Sequence, residues 1–292
     1  MRAGSSAAAP GEGGGGAVCR RGSARSSRGP GGGYTANSFR TEGIVLRTHR
    51  LGEADRILEI LTPDHGIVRA VAKGVRRSTS RFGSVVEPFM HSTMQIARGR
   101  KDLHTVSQAQ LITPYATWLA ADYELFSLAA AMAETVERVT AVDAAGAQAQ
   151  FRLFHGALAA LSRRRHTPSL ILSSFLLRTL SAAGWAPSFT DCARCGAQGP
   201  HRSLTIALGG MVCEDCRPSG SSRPAPETIG LLAALQVGDW GVADAASDPA
   251  VREAAGIVGA YLQFHVERRL VSLTVLEPVS YTHLTLPTIY SV

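Results

Sequence analysis

The side chains with the clearest chemistry in this 292-residue chain are four cysteines arranged as two C-x-x-C pairs. The pairs read C-A-R-C and C-E-D-C, residues 196–212 separate them, and their members are Cys192, Cys195, Cys213 and Cys216. Two such pairs can fold back on each other and place four thiolates around one Zn²⁺. Four protein ligands leave no open coordination position, so we predict one structural zinc ion per chain.

Other chemistry is open to the same four cysteines, namely two disulfides, bound iron or thiols without metal. Disulfides belong to oxidising compartments, and residues 1–33 contain no apolar run long enough for the core of a signal peptide. No stretch approaches the roughly 18 apolar residues of a membrane span. We therefore favour zinc in a cytoplasmic protein that makes no membrane contact.

The charge balance favours a polyanionic partner, since the formal net charge is +7 and the sequence pI is about 9.5. Residues 69–81 concentrate this charge on a glycine- and serine-rich segment that contains no acid, which predicts a mobile loop able to follow a phosphate backbone. Its candidate residues are Arg69, Lys73, Arg76, Arg77 and Arg81. A second basic turn carries Arg98, Arg100 and Lys101.

Two further features near basic residues have both a binding and a structural interpretation. Phe82 could stack on a base, but a phenylalanine here is more often a loop anchor against the barrel, so it is only a minor candidate for stacking. The run Arg163-Arg164-Arg165-His166 ends a predicted helix, where cations also favour the negative end of the helix dipole. Binding and dipole stabilisation are both open for this run.

Residues 39–112 carry alternating apolar and polar side chains and predict five short strands. The predicted strands cover residues 41–48, 56–62, 67–72, 89–97 and 103–112. This number and length are typical of a small barrel or sandwich, and they fit an oligonucleotide-binding (OB) barrel and an SH3-like barrel equally well. The two basic turns would flank one face of such a barrel.

The apolar period becomes helical after this region, and residues 113–277 predict a helical domain with a metal module inserted at 185–217. A helix that opens at Thr167-Pro168 is apolar on nearly all sides, so it should be central to the bundle. Two more helices are predicted at about 227–237 and 249–269. We expect residues 1–38 to be a disordered Gly/Arg-rich arm and residues 278–292 to be a flexible or non-native tail.

Motifs for catalysis are missing from the sequence. It contains no P-loop and no H-E-x-x-H, and no residues group as a nucleophile, base and oxyanion site. The three tryptophans, Trp118, Trp185 and Trp240, are predicted to lie in the core. We therefore expect a protein that is not an enzyme.

Four segments in this order resemble RecO, the bacterial recombination mediator family, over about residues 39–277. They are T-E-G-I-V-L-R, K-G-V-R-R-S…S-R-F-G, V-E-P-F and G-W-A-P-S-F-x-x-C-x-x-C-G, followed by the distal C-x-x-C. The resemblance implies an α+β multidomain protein, in which an N-terminal five-stranded OB-fold barrel precedes an α-helical bundle with an inserted four-cysteine zinc module. Lys73, Arg76, Arg77 and Arg81 match the family's basic OB-fold turn, and the four cysteines match its zinc ligands.

The resemblance also implies partners and a cellular role. Members bind single- and double-stranded DNA and anneal complementary strands. They associate with RecR, contact the C-terminal tail of single-stranded-DNA-binding protein, and help to load RecA, which implies work at the bacterial nucleoid. Read from the residues alone, three other functions compete: an RNA-binding protein, a non-catalytic interaction scaffold, and, least favoured, a metal-dependent nuclease.

Overall fold

The computed structural model describes residues 37–80, 82–140 and 146–266. The predicted arm at 1–38, apart from its last two residues, and the predicted tail at 278–292 lie outside the described residues. Arg81 of the first basic loop lies outside them as well.

Five strands near the start of the described chain form a closed barrel in the order β1-β2-β3-β5-β4. They are β1 (Ser38–Leu51), β2 (Asp55–Thr62), β3 (Gly66–Ala72), β4 (Met90–Ala97) and β5 (Leu103–Pro114). Neighbouring strands are antiparallel, except that β3 and β5 pair in parallel and so close the barrel. This is an OB-fold barrel, and the predicted fold class is confirmed.

The barrel has apolar residues on two faces because β1 and β2 are covered on both sides. Its interior holds one buried cluster, which includes Val45, Leu58, Ile60, Val68, Met94, Ile96 and Val106. Ile44, Leu46 and Leu61 belong instead to the core of the helical part. A β-bulge between Val45 and Arg47 lies beside this contact. The barrel and the helices therefore share a buried boundary rather than a linker.

Seven helices follow in the described residues. They are α1 (Tyr115–Leu119), α2 (Tyr123–Val139), α3 (Ala147–Ser162), α4 (Pro168–Ala182), α5 (Pro226–Val237), α6 (Trp240–Ala243) and α7 (Asp248–His265). The Asp122 carboxylate caps α2 by accepting the N–H groups of Glu124 and Leu125. Proline occupies the first turn of α4, and this helix packs against α2, α3, α5 and α7, as its all-round apolar surface predicts.

The segment between α4 and α5 contains a small hairpin that the sequence pattern did not predict. Its strands are β6 (Ser203–Thr205) and β7 (Gly210–Val212), joined by a 3₁₀ turn at Ile206–Leu208. Three-residue strands are too short to show a period of two, which is why the pattern missed them.

The prediction that the tryptophans are core residues is wrong for two of the three. Trp118 is 45% exposed and Trp185 is 37% exposed. Trp118 lies within the five-residue helix α1 and Trp185 follows the end of α4, and both side chains are partly open to solvent. None of the described helices combines the length and the apolar content that a bilayer crossing requires.

Candidate metal centre and candidate nucleic-acid face

The four predicted metal ligands lie together. The Sγ atoms of Cys192, Cys195, Cys213 and Cys216 are all within 4.8 Å of one another, and each of these cysteines is free. The Sγ atoms of Cys195 and Cys213 are 3.8 Å apart. A tetrahedron with Zn–S bonds of about 2.3 Å has S···S edges of about 3.8 Å, so the spacing suits a four-thiolate metal ion and is too long for a disulfide.

Backbone turns hold the two pairs in this arrangement. The N–H of Gly196 donates to the carbonyl of Cys192 at 2.8 Å, and Gly196 adopts the left-handed φ of +74° that favours glycine. The N–H of Cys216 donates to the carbonyl of Cys213 at 3.2 Å. Each C-x-x-C pair therefore closes a tight turn that directs both of its sulfurs to one side.

Hydrogen bonding gives the thiols of Cys192 and Cys216 different pKa values. Backbone N–H groups, that of Cys213 foremost, lower the pKa of Cys192 to about 6 because they stabilise its thiolate. Side-chain hydrogen bonds with Cys213 and Cys195, together with burial, raise the pKa of Cys216 to about 12. Four sulfurs at this distance cannot all carry charge without a cation among them, so the donor set fits a divalent soft or borderline metal.

The module is attached to the helices through its hairpin. The N–H of Met211 donates to the carbonyl of Ser188, and Gly210 approaches the same residue so closely that an added Cβ would lie 2.1 Å from the Ser188 oxygen. Phe189, Leu204 and Met211 are buried in the helical core. The module that carries the four cysteines is thus part of the packing of the helical half.

The first basic loop follows β3 and is hydrogen-bonded to the turn between β1 and β2. The N–H of Gly74 donates to the carboxylate of Asp55 at 2.7 Å. The Arg76 guanidinium donates to the carbonyls of Glu53 at 2.8 Å and Gly52 at 3.4 Å. Lys73 and Arg77 are exposed, and neither pairs with a carboxylate in the described part of the chain. Arg76 therefore supports the loop, while Lys73 and Arg77 are open to a ligand.

Arg69 lies on β3 and points outward, with its side chain 57% exposed. Its Nε is 3.6 Å from the carboxylate of Glu59 on β2, and this carboxylate also lies 3.7 Å from His49. The stretch that contains no acid along the chain is therefore not free of acids in space. An exposed ion pair of this length contributes little to stability, so Arg69 remains able to exchange Glu59 for a phosphate.

The loop differs from the mobile segment that its glycines and serines predict. Val75, Phe82 and Val86 are buried in the barrel core, and Phe82 is only 2% exposed. The Arg56 guanidinium donates to both carboxylate oxygens of Glu87 at 2.6 Å. The favoured interpretation of Phe82 as a loop anchor is confirmed, and the minor one as a stacking platform is wrong, because its side chain is buried in the barrel core.

The second basic turn lies toward the start of β3, away from the first basic loop, because Leu103, which follows the turn, pairs in parallel with Arg69 in the middle of β3. The Arg98 guanidinium lies 5.0 Å from the ring centroid of Phe39, a cation–π contact. The N–H of Leu103 donates to the Arg100 carbonyl, and Lys101 and Asp102 between them have φ of +53° and +59°. This is the geometry of a type I′ turn, which displays Arg100 and Lys101 outward.

The seven described candidates thus lie along and beyond one strand, which we call the basic face: Arg69, Lys73, Arg76, Arg77, Arg98, Arg100 and Lys101. Arg69 and Lys73 are four residues apart, or about 13 Å along β3. That length equals about four base-pair rises along the axis of duplex DNA, at 3.4 Å each. OB folds bind oligonucleotides on the surface around strands β2 and β3 and the adjoining loops.

Sequence reasoning missed a charged contact at the boundary between the barrel and the helices. Arg47 on β1 lies 3.2 Å from the carboxylate of Glu137 on α2. Burial raises the pKa of Glu137 to about 7. The charge of Arg47 opposes this shift, and the charges of Glu59 and Glu134 add to it. Neither residue belongs to a motif, and only the packing of α2 on β1 brings them together.

Comparison with known proteins finds matches along most of the described chain. Residues 37–115 match the family model "Recombination protein O N terminal", and residues 120–274 match "Recombination protein O C terminal". The chain is 50% identical to the DNA repair protein RecO of a Nocardioides species over 242 residues, which cover 82% of this chain and 99% of that protein. It is 48% identical to DNA repair protein RecO of Streptomyces coelicolor and 47% identical to that of Thermobifida fusca, each match covering 82% of this chain and 98% of the relative.

Proposed function

Since the chain belongs to the RecO family of DNA repair proteins, we propose that it is a recombination mediator that binds single- and double-stranded DNA and anneals complementary strands. The observation that carries the proposal is the basic face, on which Lys73, Arg77, Arg100 and Lys101 are exposed and unpaired among the described residues. Arg81 lies outside the described residues, and we propose it as a further DNA-binding residue from its place in the sequence alone.

Annealing on such a surface needs no bond chemistry. Two complementary strands repel each other through their phosphates, and a surface that neutralises phosphates on both lowers the barrier to their encounter. Lysine and arginine contacts to phosphate carry no sequence information, so any complementary pair can be a substrate. Each contact releases condensed counterions, and the affinity should therefore fall steeply with salt.

We propose one structural Zn²⁺ per chain, held by the four cysteines. When bound, the ion neutralises the thiolates and connects the two C-x-x-C turns to the helical core. Four protein ligands leave no position for a substrate or a water molecule, so the centre has a structural role. We accordingly propose that the protein is not an enzyme.

The proposed partners follow from family membership. They are DNA, RecR, the C-terminal tail of single-stranded-DNA-binding protein and, indirectly through RecA loading, RecA. This role places the protein in the bacterial cytoplasm at the nucleoid, with no membrane contact. An RNA ligand and a scaffold role without nucleic acid are the alternatives that the experiments must separate.

The decisive experiment measures the annealing rate of two labelled complementary oligonucleotides at about 50 mM and about 200 mM salt. The variant Lys73→Ala/Arg77→Ala removes two unpaired charges of the basic face. Arg152→Ala/Arg252→Ala removes two exposed arginines on α3 and α7 and is the matched control. Zinc content and strand scission with Mg²⁺ are measured on the same preparations.

We expect the wild type and the control to accelerate annealing in a salt-sensitive manner, without scission and with about one zinc per chain. The basic-face variant should anneal more slowly. Absence of binding and annealing in the wild type would support the scaffold role, and preferential binding of RNA of the same sequence would support the RNA alternative. Shortened DNA would show a nuclease and overturn the proposal.

A further inference from the structure

The basic run at the end of α3, residues 163–166, has no part in the proposed function so far. It lies beside α1, because α1 packs against α3. The Tyr115 hydroxyl on α1 is 3.1 Å from Nε2 of His155 on α3. Burial raises the pKa of Tyr115, and the nearby charge of Arg163 opposes that shift. The run therefore adjoins the surface formed by α1 and the start of α2.

The loop that carries the run is held at both ends. The N–H groups of Arg164 and Arg165 donate to the carbonyls of Leu161 and Ala160, which ends α3 in a Schellman-type turn. Arg164 has a left-handed φ of +47°, a conformation that glycine adopts more readily. Its guanidinium lies 2.5 Å from the carboxylate of Asp122, the cap of α2.

The other end of the loop is fixed by His166. Its ring stacks on Trp240 at a centroid distance of 3.9 Å and an angle of 7°, and its Nδ1 lies 2.8 Å from the carboxylate of Asp244. Arg163 and Arg165, on either side of Arg164, are exposed, and neither forms an ion pair with a described carboxylate. Two open cations are thus displayed on a loop of defined shape.

Exposed aromatic rings lie on the adjoining surface. Trp118 is 45% exposed, Tyr123 is 74% exposed and Phe126 is 39% exposed. The buried ring of Tyr115 contacts Trp118 edge to face, with their ring centroids 5.9 Å apart. Tyr123 and Phe126 are three residues apart on α2 and so share one helix face. Tyr123 also directly follows Asp122, which holds Arg164.

We propose that Trp118, Tyr123, Phe126, Arg163 and Arg165 form an aromatic–arginine patch that binds a segment of single-stranded DNA. Exposed rings stack on unpaired bases whatever their sequence, and arginines beside them contact the phosphates. A duplex has its bases already stacked, so the rings select the single strand. The proposal rests on the proposed function for the choice of DNA as the nucleic acid.

The position of this patch suits the proposed annealing. The second basic turn precedes the start of β5 and the patch follows the end of this 12-residue strand, a path of roughly 40 Å along the strand. A strand held at the patch is therefore separate from a phosphate backbone held at the basic face. The protein can in this way hold two single strands before they pair.

The test uses the full-length protein, a fluorescent oligo(dT) and a duplex of the same length. The patch variant is Tyr123→Ala/Arg163→Ala/Arg165→Ala, Tyr123→Phe keeps the ring, and Arg152→Ala/Arg252→Ala is the charge-matched control. We expect the patch variant to bind oligo(dT) roughly tenfold more weakly and the duplex nearly as well as the control, while Tyr123→Phe binds like the wild type. Melting curves confirm that each variant is folded.

A second readout locates the contact directly. Oligo(dT) that carries photoreactive 5-iodouracil should cross-link to a peptide containing Trp118, Tyr123 or Phe126. Cross-links confined to residues 38–114, or equal losses for single strand and duplex, would overturn the patch. A patch variant that keeps oligo(dT) but loses a poly-aspartate peptide would show a peptide site instead and would also overturn it. A wild type that binds neither DNA would refute the proposed function itself.

Discussion

The cysteine cluster and the basic face each bring groups of like charge close together, thiolates in the first and cations in the second. They differ in what neutralises that charge. The four thiols point toward one another and lie within 4.8 Å, and the thiol of Cys192 accepts backbone N–H groups. Lys73, Arg77, Arg100 and Lys101 turn outward, along and beyond the ends of one strand. In the proposed function, a metal ion enclosed by the cysteines neutralises the first group and a DNA backbone neutralises the second. We therefore expect the cysteine cluster to govern stability and the basic face to govern binding.

The largest expected effect comes from Cys213→Ser, which tests whether the cysteine cluster governs stability. Structural zinc contributes about 10–16 kcal/mol in small zinc peptides, as much as the whole stability of a typical domain. The hairpin of the module lies in the helical core, so we expect the helical half to unfold and to uncover Ile44, Leu46 and Leu61 on the barrel. Helicity by circular dichroism, dye binding to exposed apolar surface and zinc content measure the outcome.

Cys19→Ser is the matched control for this prediction, since Cys19 is not one of the four clustered cysteines. It should keep the zinc and the melting temperature of the wild type. A Cys213→Ser protein that contains no metal but keeps its helicity and melting temperature would show that the cluster is dispensable for the fold.

A smaller effect is expected at Glu137, where the barrel meets the helices. Its folded pKa of about 7 is above its ordinary value of 4.5, so its stability contribution is fully present below about pH 4.5 and is lost as the pH rises through 7. Glu137→Gln cannot ionise, and it should be more stable than the wild type by roughly 2 kcal/mol at pH 8 but not at pH 4.5. Urea unfolding at both pH values measures the difference, and an equal difference at both would contradict the raised pKa.

The basic face should respond in affinity rather than in stability. Lys73→Ala/Arg77→Ala should weaken single-strand binding by about tenfold at low salt and reduce the slope of log K against log salt by about 1.4, because two phosphate contacts are lost. Its melting temperature should be unchanged. Arg76→Ala should lower the melting temperature, since Arg76 holds the carbonyls of Gly52 and Glu53. Equal melting temperatures for all variants would show that Arg76 does not support the loop and so does not differ from Lys73 and Arg77.

The smallest effect concerns Lys101, which has a left-handed φ of +53°. Glycine adopts this conformation without strain, so Lys101→Gly should stabilise the protein by about 0.5–1 kcal/mol and weaken DNA binding slightly. Lys101→Ala loses the same charge without relieving the strain and is the control. Thermal melting and a salt titration measure both quantities. If both variants keep the DNA affinity of the wild type, Lys101 does not belong to the basic face.

Much of the architecture was predictable because local patterns determine it. Alternation marked the five strands to within three residues, and the Thr167-Pro168 pair marked the start of α4. The two C-x-x-C motifs identified four residues that the structure does bring together. Three-residue strands and single-turn helices such as β6, β7 and α6 were missed, because they are shorter than any detectable period.

The sequence by itself determined the elements, the four thiols and the positive charge, since these depend on residue type and on spacing along the chain. Only the tertiary structure decided which charges remain open. It brought Glu59 to Arg69 and the Gly52 and Glu53 carbonyls to Arg76, and it buried Phe82. It also tied Arg164 to Asp122, the residue that precedes the exposed Tyr123. The physical reason is that pairing and burial depend on distances across strands and helices, which spacing along the chain does not contain.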